Sequence, residues 1–134
     1  MRTAYLLERV PLQPEHRVPT FDLVDTAPAD AARMVRAQWR MPIGPVRTLT
    51  RWMESAGIVV VEQDFATTRI DGACQWAGTD PVVLVNAGLP TDRRRWTLAH
   101  ELGHLVLHAD VATDDMEAEA NAFAAELLTS EHLI

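Results

Sequence analysis

RWTLAHELGHLVLH, residues 95–108, decides how the rest of the chain is read. His100, His104 and His108 recur every four residues, so on a helix they stack along one face. Trp96, Leu98, Ala99, Leu102, Leu105 and Val106 surround that face with apolar side chains nearly all round. Such a helix is buried on more than one side, like a central helix under a sheet. Gly103 in its middle costs about 1 kcal/mol relative to alanine, which implies a close approach by another backbone. Ionisable groups on a buried helix need partners. HELGH, residues 100–104, suggests one: histidines a turn apart converge their ring nitrogens on one metal ion, and the glutamate beside the first is placed to take a proton from water. His100 and His104 are therefore candidate metal ligands and Glu101 the candidate general base. Zn2+ is the expected ion, with another divalent ion as its substitute. Histidines that merely cap carbonyls or face solvent would leave Glu101 between them unexplained.

The third ligand must come from elsewhere. His108 lies eight residues after His100, about 12 Å along the axis, too far to share one ion unless the helix breaks. Leu107 stands where some metallopeptidase patterns place the glycine that permits such a break. His108 is expected to support the site or the fold. The next helical stretch, DDMEAEANAFAAELLTS, offers Glu117, Glu119 and Glu126. Its apolar stripe runs through Met116, Ala120, Phe123, Ala124, Leu127 and Leu128. Glu117 falls roughly 60° from the stripe's centre and Glu119 roughly 100° away on the other side. Glu117 is the expected ligand, and Glu119, expected to be solvated, is its substitute. Asn121, one turn after Glu117, is placed to hold Glu117 or a ligand histidine by a hydrogen bond. A plain acidic helix start is the competing reading of these glutamates.

Working outward, residues 1–28 carry Pro11, Pro14, Pro19 and Pro28 and read as an extended arm or linker remnant, with one domain over 29–134. PADAARMVRAQWRM reads as a first helix opened by Pro28 or Asp30 and broken by Pro42, Gly44 and Pro45. VRTLTRWMESA reads as a second, stopped at Gly57. IVVVEQD and PVVLVNA are short β-branched runs, and TRIDGACQWAG between them reads as a weaker strand pair around Asp71-Gly72. Together they imply a small, mostly antiparallel sheet. Pro90 with Thr91 or Asp92 opens the histidine helix.

Of the 134 residues 48% are apolar and 23% charged, an ordinary globular balance, and the net charge of -7 provides no broad cationic surface for nucleic acid. The four tryptophans, Trp39, Trp52, Trp76 and Trp96, therefore read as core or partner contacts and not as a base-stacking set. Cys74, the single cysteine, allows no internal disulfide and fits a reducing cytoplasm. It reads as a small buried residue, with a fourth, inhibitory metal ligand as the alternative. No apolar run approaches the roughly 18 residues of a membrane span.

With RWTLAHELGHLVLH and EAEANAFAAELL both placed, the chain resembles the ImmA/IrrE family of zinc-dependent metallopeptidases, the M78 group, from about Val46 onward. The resemblance implies His100 and His104 as ligands, Glu101 as general base and Glu117 as third ligand. It implies an α+β fold: a zincin-like metallopeptidase domain with the small, mostly antiparallel sheet packed on the HExxH helix and a following glutamate helix. It also implies a protein substrate, an Xre-type helix-turn-helix regulator in phage or mobile-element, stress or toxin–antitoxin control. The arm is too short for a DNA-binding domain, so the regulator is expected on a separate chain, or this chain as a fragment. The alternative is a catalytically silent module that retains the fold and controls a partner repressor without cutting it. Peptide is expected to add as a strand beside GACQWAG. The oxyanion donor is left open among His108, His132 and an arginine, since Tyr5, the only tyrosine, sits in the arm.

Overall fold

The computed structural model describes residues 17–42, 44, 46, 48–109 and 115–129; the arm up to residue 16, Tyr5 and His132 lie outside the described residues. Four helices and three strands follow in the order α1 (Pro28–Gln38), α2 (Leu49–Ser55), β1 (Val59–Gln63), β2 (Gly72–Ala77), β3 (Asp80–Asn86), α3 (Thr91–Leu107) and α4 (Met116–Thr129). No helix among them is long and apolar enough to cross a membrane.

Proline at the first position of α1 fixes a helical φ, and Asp30 suits the positive end of the dipole. The helix buries Ala31, Ala32 and Val35, with Trp39 buried just past its end, while Met34 stays outside. It ends four residues before Pro42. Arg40 turns left-handed at φ 59°, the Arg40 N–H donates to Ala37 O at 3.1 Å, and the Met41 N–H donates to Arg36 O at 2.8 Å. α2 closes the same way with Gly57 at φ 87°: Gly57 N–H donates to Glu54 O and Ile58 N–H to Met53 O, at 3.0 and 3.1 Å. Buried Arg36 donates to the carbonyls of Leu127, Pro42 and Gly44, tying the end of α1 to the last turn of α4.

The sheet differs from the mostly antiparallel one expected. Its strand order is β1-β3-β2, with β1 parallel and β2 antiparallel to β3. β3 is the most apolar strand and takes the centre, where Val83 and Val85 are fully buried, so β1 and β2 become the edges. Asp71-Gly72 is not a turn. The two-residue hairpin joins β2 to β3 through Gly78, at φ 67°, and Thr79. Gly72 opens β2 for a different reason: a Cβ there would sit 2.5 Å from Leu84 O and 2.8 Å from Thr97 Cγ2, so only glycine lets β2 pass this close to α3.

α3 is the central element, packed against β2 and β3 on one side and α1, α2 and α4 on the others. Leu98, Ala99, Leu102, Leu105, Val106 and Leu107 are all buried, each large aliphatic contributing about 1.5–3 kcal/mol by leaving water. Gly103 does mark a close approach: an added Cβ would meet Phe123 Cδ1 at 3.1 Å and Ala120 Cα and O at 3.3 Å, so α4 crosses α3 almost backbone to backbone. The chain before α1 also touches this core. Phe21 N–H caps Val106 O at 2.9 Å, and Trp39 Nε1 donates to Arg17 O at 2.8 Å.

Candidate metal centre

Where α4 crosses α3, His100 and His104 sit one turn apart and α4 places Glu117, in its first turn, above both. His100 Nε2 lies 3.0 Å from Glu117 Oε1, His104 Nε2 lies 2.9 Å from Glu117 Oε2, and the two Nε2 atoms are 3.1 Å apart. These three side chains form the one group among the described residues able to hold a metal ion. A tetrahedral ion with bonds of about 2.0–2.1 Å spaces its ligand atoms by about 3.3 Å, so the triangle is within a few tenths of an ångström of a ligand set.

The donor chemistry fits as well. His100 Nδ1 is 2.8 Å from Asn121 Oδ1, an acceptor, so the neutral ring carries its proton on Nδ1 and leaves Nε2 as a lone pair. Burial lowers the His104 pKa, which favours the neutral ring a metal requires, although Glu117 pulls the other way. Two nitrogen lone pairs and a carboxylate aimed at one point repel unless a cation lies between them.

Glu101 is buried on the same helix. Burial pushes its carboxyl above the usual carboxylate range, opposed by a hydrogen bond from Cys74 and by the charge of His100, and reinforced by Glu117 and Asp71. Cys74 therefore meets Glu101, and burial and that carboxylate push its thiol up. A thiol held protonated is a poor metal ligand.

The cleft has two lobes. One, of about 590 Å³, runs between β2 and α3 and is lined by residues 72–76 together with Glu101, His104, His108 and Glu117. The other, of about 470 Å³, is lined by Arg69, Asp71, Arg93, Trp96 and Thr97 with His100, Glu101, Glu117 and Asn121. Arg93 holds Asp71 at 3.0 and 2.7 Å and ties the wall of this lobe to α3. A smaller cavity, of about 180 Å³, shares none of the metal-centre residues.

The profile of Peptidase M78, described as the IrrE N-terminal-like domain, matches residues 53–134. The chain belongs to the M78 peptidase family. The M78 match takes in the whole sheet, α3 and α4, and with them every residue of the triangle. No curated protein matches the chain.

Within this M78 domain the remaining expected residues fall as follows. Asn121 holds the candidate ligand His100. Glu126 faces α1, 3.7 Å from Arg33. Glu119 corrects the expectation of a solvated residue: it lies 2.8 Å from His108 Nε2, and His108 Nδ1 lies 2.9 Å from His104 Nδ1. With both nitrogens of His108 engaged, it is not a free oxyanion donor, and Arg69 and Arg93 are the arginines on the cleft. Trp39 is core, Trp52 and Trp76 pack partly buried against it, and Trp96 is exposed on the second lobe. Asn86 was not legible as important: fully buried, it accepts from the N–H groups of Phe65 and Gly88 and donates to Thr67 O and Ile70 O, holding the loop that walls the second lobe.

Proposed function

We propose that the chain is a zinc-dependent endopeptidase of zincin-like architecture that cleaves an Xre-type helix-turn-helix transcriptional regulator in the cytoplasm. The observation that carries the reading is the triangle of two ring nitrogens and a carboxylate, with edges of 2.9 to 3.1 Å, next to a buried glutamate. His100, His104 and Glu117 hold the ion. Zinc bound there supplies Lewis acidity, polarising a peptide carbonyl and easing proton loss from water.

Glu101 does the proton work. Its raised proton affinity suits it to take a proton from the attacking water and return it to the leaving amine. Asn121 keeps the His100 ring oriented, and β2 positions substrate. As an edge strand paired, among the described residues, with β3 alone, β2 offers its other side to an extended peptide, whose main chain then runs along the larger lobe past Glu101. Family membership supports peptidase chemistry, and the net charge of -7 supports a protein partner over nucleic acid.

The test is incubation of the zinc-loaded chain with a purified Xre-type helix-turn-helix regulator, followed by intact mass, for the parent and Glu101→Gln. Defined fragments with the parent alone support the endopeptidase. A regulator that stays whole and co-purifies with both zinc-loaded forms replaces it with a binding module.

A further inference from the structure

The far end of the site has no role in the mechanism above, yet with His108 as the neutral imidazole its hydrogen bonds run in one direction. Glu119 Oε1 lies 2.8 Å from His108 Nε2, and the His108 side chain is only 1% exposed. A carboxylate offers no proton, so His108 Nε2–H must donate to it. A neutral imidazole protonated on Nε2 presents Nδ1 as an acceptor. The 2.9 Å contact between His108 Nδ1 and His104 Nδ1 is then a hydrogen bond only if His104 carries its proton on Nδ1 and donates. That tautomer leaves His104 Nε2 bare, where it faces Glu117 Oε2 at 2.9 Å and His100 Nε2 at 3.1 Å. The other tautomer would put a proton inside the triangle and set two bare Nδ1 lone pairs against each other.

We propose that Glu119 and His108 are positioning residues that lock His104 in the tautomer able to ligate zinc, and so set the zinc affinity of the site. The proposal rests on the reading of His104 as a zinc ligand and is independent of whether any peptide is cut. It gives the third histidine of the helix, too far along to share the ion, a task at one remove. His100 reaches the same end through a simpler partner, Asn121.

Two measurements on the full chain test it. Imidazole ¹H–¹⁵N correlation spectra of the zinc-free parent are expected to show His104 protonated on Nδ1; protonation on Nε2 overturns the proposal. Zinc affinity, from competition with a chromogenic chelator, is expected to fall roughly 10- to 100-fold in His108→Leu. Most of that loss is expected to return in His108→Gln, whose amide oxygen accepts from His104 while its NH2 donates to Glu119. Glu119→Gln, whose amide can present either a donor or an acceptor, is expected to fall between parent and His108→Leu. Equal affinity in parent and His108→Leu, or equal loss in the leucine and glutamine variants, overturns the proposal. Should His108→Leu fail to fold, the spectrum of the parent decides. A parent that takes up no zinc overturns the metal reading and this inference with it, whereas zinc uptake without regulator cleavage removes only the peptidase.

Discussion

Replacing Asn86 with aspartate keeps the shape of the side chain and reverses two of its hydrogen bonds. Nδ2 donates to Thr67 O at 2.7 Å and to Ile70 O at 3.0 Å, while Oδ1 accepts from Gly88 and Phe65 N–H groups at 2.9 and 3.3 Å. The aspartate keeps the second pair and sets an oxygen against both carbonyls of the first. Each lost bond with a stranded partner costs about 1–3 kcal/mol, and the exposed flanks of Thr67 and Ile70 let water recover part of it, so about 3–4 kcal/mol is expected at pH 7.5. A carboxyl buried at a fully covered position holds its proton more tightly than in the unfolded chain. Its penalty is therefore smallest below the unfolded value of about 3.9 and grows as pH rises through the folded value. The assay is urea unfolding of the zinc-free protein at pH 7.5 and 4.5. A loss under about 1 kcal/mol at pH 7.5, or a loss that grows in acid, would refute the account of this loop.

Other expectations follow from neighbouring features. Gly103→Ala gains about 1 kcal/mol of helix propensity but must push Ala120 and Phe123 away at an overpacking cost of about 1–3 kcal/mol, so it should lower both the melting temperature and, through the displaced Glu117, zinc affinity. A stabilised variant with parental zinc binding would count against the close crossing. Glu101→Gln removes a carboxyl whose raised pKa contributes stability below about 4.5 that is lost as pH rises, so the variant's stability gain over the zinc-free parent should increase from pH 4.5 to 7.5; a gain largest in acid would contradict its burial. Arg40→Gly relieves a left-handed residue and should stabilise by about 1 kcal/mol in thermal unfolding. Proline or charge substitutions within residues 73–77 should reduce regulator cleavage at unchanged zinc content; unaltered cleavage would remove β2 as the docking edge.

Helical periodicity made much of the site readable. The spacing of His100 and His104 and the angular place of Glu117 on α4 are local arithmetic, and the structure brings the three together. Glu119 escaped the same arithmetic because His108 lies at the very end of α3, where it reaches across to the opposite flank of α4's first turn. A wheel drawn for one helix cannot show a partner arriving from another. Pairing direction in the sheet was hidden for a similar reason: β3 runs between β1 and β2 although it follows both in sequence, which no local pattern states. Asp71-Gly72 and Gly78-Thr79 look alike as turn signals, and only the packing of Thr97 against Gly72 tells them apart. Asn86 sits before Ala87-Gly88 and reads as a strand-end turn, while three of its four side-chain bonds reach Phe65, Thr67 and Ile70, distant in sequence.

The central claim is that His100, His104 and Glu117 hold one zinc ion, and metal content answers it most directly. After zinc loading and desalting, elemental analysis by mass spectrometry should find about one zinc per chain in the parent and in Glu101→Gln, and far less in His100→Ala, His104→Ala and Glu117→Ala. Zinc retained equally by the three ligand variants, or absent from the folded parent, would contradict the account.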